Sequence, residues 1–350
     1  MASKKMKKIR KVVLTILFVL INIVVIAATA LNEFGNSKDA AELSEIRINW
    51  WLLLPASICF LAMIFLEFAK YVLMIKRTSD KKKVKNSSVW RLAFRTVMLG
   101  RYYDRITPAA VGGQPFQIYY MRKSGLVSDG MASAIPVFGM ISGQIAFLIV
   151  AVPCFLLGGL SGENSVLLMT AWFGLLFYAF WPVMVAIAAI FPKTSTRMIK
   201  FFVRILARLK IVKNRTAALE KIEHEVSEYV RYTRVIMKSP GLFGGVIIMS
   251  IISNLLIAFV PYFVLTAFGG NVGFFSCFLL TIAVEAAVYF IPTPGNSGAA
   301  EGTFYIVFSA LSTGYVFWAM LFWRLYSYYI YIIMGPIIYL KMHLEKRKHN

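Results

Sequence analysis

Long apolar blocks separated by short polar segments constrain this chain more than any other feature of its sequence. Most of the blocks have the roughly 20 residues that a helix needs to cross the hydrocarbon core of a bilayer. Backbone groups in lipid must bond within the chain, so such blocks are either helices or strands of a closed barrel. The apolar residues run continuously instead of alternating, which excludes the barrel. The sequence therefore predicts an all-α polytopic membrane protein.

Composition and charge agree with this class. Of the 350 residues 59% are hydrophobic, a share that would make the surface of a soluble domain aggregate. The formal net charge of +22 would suggest a nucleic-acid partner for a soluble chain. Here Lys and Arg cluster between the apolar blocks. The positive-inside rule and attraction to anionic lipid headgroups both account for that pattern, and we predict no nucleic-acid partner.

The order of the blocks predicts about eight transmembrane helices with both termini in the cytoplasm. The segment 76–85 is strongly basic and is placed inside, whereas 32–49 has few basic residues and is placed outside. The first block follows basic residues as a signal peptide would, but we interpret it as an uncleaved membrane helix of a bacterial inner-membrane protein. The eight blocks are 12–31, 50–75, 131–157, 166–191, 242–268, 274–291, 299–311 and 314–340.

Two segments differ from the apolar blocks. Residues 90–125 are semi-apolar and basic at both ends, which predicts a re-entrant or interfacial hairpin within one transmembrane domain covering 1–350. Residues 193–240 are the main hydrophilic region. Their first part alternates apolar and basic residues at helical spacing, which is typical of an amphipathic helix on the cytoplasmic membrane surface.

Two short segments break the apolar pattern in the same way. Residues 106–116 read ITPAAVGGQPF and residues 292–302 read PTPGNSGAAEG, and in both a Thr-Pro pair is followed by three residues and then Gly. Breaks in both halves of a membrane protein point to a transport site, because free N–H groups and the positive end of a helix dipole can hold a phosphate or carboxylate. Two structural loops would give the same pattern. The substrate-binding residues predicted here are Thr107, Pro108, Gly112, Gly113, Gln114, Thr293, Pro294, Gly295, Ser297, Gly298 and Glu301.

Several charges lie inside the apolar blocks. Glu285 and Arg324 are mid-block, Glu301 begins a block, and Glu67 and Lys70 share one face of the second block. Such groups are expensive in hydrocarbon and are usually paired or turned toward a cavity. We expect Arg324 to face a central cavity and to hold a phosphate, with Glu285 and Glu301 meeting a cationic headgroup or carrying a proton. The alternative is a structural ion pair that fixes helix packing.

The sequence contains no signature of an enzyme or a metal protein. Cys59, Cys154 and Cys277 lie inside apolar blocks as small hydrophobic residues, and the three His are scattered. No Walker loop, nucleophile elbow or zinc motif is present. We therefore predict no catalytic residue, metal or cofactor, and no ATP-driven transport on this chain.

Three segments, 106–125, 290–308 and 321–335, resemble the flippase-like family that includes the transmembrane domain of lysylphosphatidylglycerol synthase, the multiple peptide resistance factor. The resemblance covers about residues 11–340 and rests on the combination of TP…GGQP, PTPG…G…EG and Trp-Arg. It implies an eight-helix flippase-like domain that moves aminoacylated or other polar lipids between leaflets and contributes to antibiotic resistance. The bifunctional synthases add a soluble aminoacyltransferase domain, for which we see no sequence here.

These observations leave three functions open. The first is a lipid translocase for a phospholipid such as lysylphosphatidylglycerol or another anionic polar lipid. The second is a membrane enzyme of the phosphatidylglycerol lysyltransferase type, or a subunit of one. The third is a non-catalytic scaffold that binds lipid. The predicted partners are membrane lipids with anionic headgroups, together with a second copy of the chain or a synthase.

Overall fold

Helices account for the regular structure of the described chain, and no strand occurs in it. The computed structural model describes residues 48–78, 85–110, 112–157, 165–190, 231–236, 238–310 and 315–347. The first predicted block, at 12–31, lies outside these ranges. Residues 79–84 of the basic segment 76–85 also lie outside them, as does most of the hydrophilic region 193–240.

Ten helices are bounded within the described ranges, and they follow the apolar blocks of the sequence closely. A 3-10 turn at Trp50–Leu52 leads into the first of them. The helices are α1 (Leu53–Thr78), α2 (Asn86–Ile106), α3 (Gly113–Ser124), α4 (Asp129–Leu157), α5 (Ser165–Ile190), α6 (Pro240–Ala267), α7 (Phe274–Val288), α8 (Ala299–Ser309), α9 (Val316–Arg324) and α10 (Ile330–Arg347).

Within the described part of the chain, five helical stretches are long and apolar enough to cross a membrane. They are Trp50–Arg77, Asp129–Leu156, Val166–Met184, Pro240–Ala267 and Val316–Met342. Helix α7 is equally apolar but shorter, with 15 residues. These helices confirm the prediction of an all-helical, multi-pass membrane protein, while the total of eight spans stays a prediction.

The outer face of α1 shows what a lipid-facing surface looks like in this fold. Leu54, Ile58, Leu61 and Phe65 recur at helical spacing, and each is more than half exposed. In water such a continuous apolar stripe would drive aggregation, whereas in a bilayer it is in its preferred solvent.

Small residues allow the helices to pack closely behind this outer face. Helix α1 packs along α6, α4 packs on the same helix, and α5 packs against α7. At Gly174 of α5 an added Cβ would overlap the carbonyl oxygen of Ala286 in α7. Close backbone approach at a small residue is the usual device for holding membrane helices together, since lipid supplies no hydrophobic driving force between them.

The two broken segments are brought together by the helices around them. Helices α2 and α3 pack against each other and are joined through a 3-10 turn at Pro108–Ala110. A second 3-10 turn, Pro294–Asn296, lies between α7 and α8 and contacts the first turn. A π-helical turn at Leu325–Tyr329 separates α9 from α10, and π-turns inside helices are frequent at functional sites.

Candidate functional site

The second break is built around Gly295, which has a left-handed backbone conformation with φ of 60°. An added Cβ there would meet the Tyr328 ring and would lie 3.2 Å from Cδ of Arg105. Glycine is thus required for both the conformation and the space. Arg105 also donates its Nε–H to the carbonyl of Ser327 at 2.9 Å. The two breaks and the π-turn therefore meet at Arg105.

Arg324 and Glu301 form a buried ion pair that closes the second break. The Arg324 Nε–H group donates to Oε1 of Glu301 at 2.6 Å, and the two residues are 3% and 1% exposed. The Nη2 group donates to Oγ of Ser297 at 3.1 Å and to the Gly295 carbonyl at 3.3 Å. Arg324 thus lies in the protein interior and pairs with Glu301, while its described hydrogen bonds do not include Glu285. The central cavity expected beside it stays a prediction.

The backbone N–H groups of the two breaks differ from the sequence-based expectation, which left them free for an anion. Gly112 N–H donates to Oγ1 of Thr107 at 2.9 Å, and Gly113 N–H donates to Oδ1 of Asp104 at 3.0 Å. An unpaired N–H group buried away from water costs about 1–3 kcal/mol, so nearby side-chain oxygens satisfy these groups.

The second break follows the same rule as the first. The Gly298 N–H group donates to Oε2 of Glu301 at 2.7 Å. A carboxylate therefore caps the start of α8, as Asp104 caps the start of α3. An anion bound at either helix start would have to displace a negatively charged group, so the contacts to a ligand must come from side chains instead.

The remaining predicted residues shape the turns. Thr107 donates its hydroxyl to the Tyr103 carbonyl at 2.7 Å, and Thr293 donates to the Ser297 carbonyl at 3.0 Å. Of the other predicted positions, Pro108 is exposed, and Gln114 and Pro294 are half-buried.

Charged residues on α2 were missed as site residues in the sequence, although the spacing contained a signal. Asp104 and Arg105 follow Arg101 by three and four residues, so all three lie on one side of the helix. That face directly precedes the first Thr-Pro pair. Their charges suggested only a hairpin in the sequence, because nothing there shows which neighbour this face packs against.

The α2 face is surrounded by acidic groups from two other helices. Glu67 of α1 accepts from Nη2 of Arg101 at 3.0 Å. Glu285 of α7, half-buried, lies in the electrostatic field of Arg105 and Arg101. Glu285 thus belongs to the α2 charges and not to the pair formed by Arg324.

Arg105 is a cation with unused binding capacity in the described part of the chain. Among the described residues no carboxylate lies within ion-pair distance of it, and its terminal nitrogens make no hydrogen bond. Its described contacts are the Ser327 carbonyl and the face of the Tyr331 ring, 5.4 Å from the guanidinium carbon. The Oγ atom of Ser327 is itself buried without a partner in the described chain. An underused guanidinium beside an unsatisfied hydroxyl is what a polar ligand or water would complete.

The fold and this arrangement define the class: an all-helical, multi-pass membrane protein in which two 3-10 turns between helices meet beside a cluster of charged side chains. The chain belongs to the family described as the lysylphosphatidylglycerol synthase TM region, whose family model matches residues 12–335. The resemblance seen in the sequence is thereby confirmed, and with it a membrane protein related to lysylphosphatidylglycerol synthesis. No curated protein and no solved structure matches the chain.

Proposed function

We propose that this protein is a lipid translocase that holds the headgroup of a polar phospholipid where its two broken helices meet. The observation that carries the proposal is Arg105, a half-buried guanidinium whose terminal nitrogens have no anionic partner in the described structure. An unpaired Arg at membrane depth costs several kcal/mol unless it meets an anion or water. A lipid phosphate supplies that anion, and the family match supports a lipid related to lysylphosphatidylglycerol.

The phosphate contacts in this proposal come from α2. Arg105 offers a planar fork of donors that matches phosphate oxygens, and Arg101 lies one helical turn away on the same face. The Arg101 side chain is 38% exposed, so it is accessible to a headgroup although it is bonded to Glu67.

Glu285 is the proposed partner for a positive charge on the headgroup. It is an acid inside an apolar helix and lies in the field of the same two arginines. A lysyl-carrying headgroup has a phosphate and amino groups in one molecule, so adjacent basic and acidic groups suit it better than a basic patch alone would.

Arg324 and Glu301 are proposed as positioning residues. The sequence assigned the phosphate to Arg324, but three internal acceptors already take its described hydrogen bonds. Its role is then to hold the second break, including Gly295, against Arg105. The motif residues Thr107, Gly112 and Gly113 do the same for the first break.

The proposed placement in the membrane completes the mechanism. We place the chain in a bacterial inner membrane with eight spans and cytoplasmic termini, and the distribution of Lys and Arg between the apolar blocks supports this orientation. The α2–α3 hairpin then enters the membrane from the cytoplasmic side and returns to it. Non-helical backbone at that depth is tolerated where it is buried in protein or lines a polar cavity, and the two 3-10 turns contact each other there.

A second candidate is favoured by the description of the family, which names a synthase. In this case the chain would attach lysine to phosphatidylglycerol or form part of the enzyme that does. Purified protein given phosphatidylglycerol and lysyl-tRNA distinguishes the two. We expect no lysyl-lipid, and product from this chain would favour the enzyme.

The test of the translocase is a headgroup series in proteoliposomes. Fluorescent phosphatidylglycerol, lysylphosphatidylglycerol and phosphatidylcholine are placed in the outer leaflet, and their arrival in the inner leaflet is measured with and without protein. We expect lysylphosphatidylglycerol or phosphatidylglycerol to move faster with protein, and phosphatidylcholine less so. Equal rates with and without protein for every lipid would contradict the proposal.

A further inference from the structure

Glu67 is shared between two cations that differ in exposure. Its Oε1 atom lies 2.8 Å from Nζ of Lys70, and its Oε2 atom lies 3.0 Å from Nη2 of Arg101. The Lys70 side chain is 1% exposed, whereas that of Arg101 is 38% exposed. One partner of the carboxylate is therefore enclosed by protein, and the other lies at the accessible edge of the candidate site.

Lys70 is fixed in place by helices on both sides of it. Its Nζ donates to Oγ of Ser250 in α6 at 3.0 Å. That hydroxyl donates to Oγ of Ser142 in α4 at 3.1 Å, which donates to the Gly139 carbonyl at 2.8 Å. The ammonium group therefore remains beside Glu67 whatever Arg101 does.

The charges of Glu67, Lys70 and Arg101, the counter-ion triad, do not sum to zero. Lys70 and Arg101 bring two positive charges and Glu67 brings one negative charge. Outside these three residues, Asp104 and Arg105 also act electrostatically on Arg101. If Arg101 leaves Glu67, the carboxylate remains neutralised by Lys70, so no uncompensated charge is left in the protein. Losing one partner of a buried pair is costly only when the other charge is left alone.

We propose that Glu67 is an exchangeable counter-ion: it holds Arg101 in the empty site and releases it to the phosphate of an anionic lipid headgroup, while Lys70 keeps Glu67 neutral. This inference rests on the proposed function and adds two positioning residues to it. Competition between the carboxylate and the phosphate for Arg101 prevents the lipid from binding too tightly to leave on the other side.

Substitutions of Glu67 and of Lys70 should change the affinity for lipid in opposite directions. The Glu67→Gln variant removes the competitor, so Arg101 is always available and the lipid binds more tightly. The Lys70→Met variant leaves Arg101 as the main cation of Glu67, so the lipid binds more weakly. Conformational coupling between sites usually changes affinity by about 5- to 150-fold, and we expect the lower end, about five- to tenfold, in each direction.

The experiment measures binding of dioctanoyl phosphatidylglycerol to purified full-length protein by tryptophan fluorescence, together with its translocation rate at saturating lipid. Glu67→Gln should lower the Kd and also lower the saturated rate, because release becomes slower. Lys70→Met should raise the Kd, and adding Glu67→Gln to it should restore tight binding. Glu67→Asp should bring the Kd and the rate back toward wild type.

The two proposals fail in distinguishable ways. Glu67→Gln leaves the buried Lys70 ammonium without its anion, so its folding is checked by thermal unfolding. The Glu67→Gln, Lys70→Met double variant leaves no unpaired charge there and keeps the test usable if either single variant does not fold. A Kd for Glu67→Gln that is unchanged or higher, in a folded protein whose wild type moves lipid, overturns the exchange alone. A wild type that neither binds nor moves the lipid overturns the exchange and the proposed function together.

Discussion

Replacing Arg324 with Met leaves the Glu301 carboxylate buried without its cation. The pair is 2.6 Å long, and its side chains are 4% and 2% exposed, so water cannot replace the lost partner. Breaking a buried ion pair from one side costs about 3–5 kcal/mol. We expect Arg324→Met to lose that much free energy of unfolding and to stop lipid movement, because the second break is no longer held.

The Arg324→Met, Glu301→Gln double variant removes the charge of Glu301 but keeps a side chain that can cap the start of α8. Gln removes the buried negative charge, yet its side-chain oxygen can still accept the Gly298 N–H group, which Glu301 now binds at 2.7 Å. The double variant should therefore recover most of the lost stability, to within about 1–2 kcal/mol of wild type, since well-matched neutral groups can replace a buried pair. Arg324→Lys should recover part, because Lys keeps the charge but lacks the planar fork.

The assay is unfolding of the purified protein in mixed micelles with increasing SDS, followed by tryptophan fluorescence, with translocation measured on the same preparations. A loss below about 1 kcal/mol for Arg324→Met would show that the pair is not the buried unit described here, since buried pairs cost more to break. A double variant no more stable than the single one would refute the charge argument.

Three further predictions concern packing, pH and topology. Gly174→Ala should cost about 1–3 kcal/mol, because its Cβ would overlap the backbone of α7. The control Gly143→Ala, which has no neighbour within 4 Å, should be neutral or slightly stabilising in the same SDS assay. Hydrogen bonds from Arg95 hold the pKa of Glu345 below its ordinary value. The stability that this bond adds is lost as the pH falls below about 4.3, the ordinary pKa of a Glu side chain. The midpoint of thermal unfolding should therefore fall more steeply with falling pH in wild type than in Glu345→Gln. A Cys introduced at Lys81 should be labelled only from the cytoplasmic side, and external labelling would refute the topology.

The helices were largely predictable because a continuous apolar run of bilayer length has one favourable conformation. Block 242–268 became α6 (Pro240–Ala267) and block 131–157 became α4 (Asp129–Leu157), with differences of about two residues. The positions of the two breaks were also predictable, since both lie where a Thr-Pro pair occurs together with a nearby Gly. Proline alone did not mark a break, because Pro136, Pro153 and Pro261 lie inside continuous helices.

The contacts at the site were only partly predictable. Counting 1.5 Å per residue along a helix gives the depth of a side chain but not the direction in which it points. The sequence therefore grouped Arg324, Glu285 and Glu301 around one cavity, whereas the described hydrogen bonds of Arg324 include Glu301 and not Glu285. Likewise, the capping of Gly113 by Asp104, nine residues earlier, depends on how the turn folds back. That geometry has no counterpart in the apolar pattern.

Translocation of lysylphosphatidylglycerol by the Arg105→Ala variant measures whether Arg105 holds the lipid headgroup during transport. The matched control is Arg91→Ala, which removes an exposed arginine from the same helix. A hydrogen bond to a charged group contributes about 1.5–3 kcal/mol, so the account predicts a rate at least tenfold lower for Arg105→Ala, partial activity for Arg105→Lys and a wild-type rate for Arg91→Ala. Equal rates for the two alanine variants, in folded protein, would contradict it.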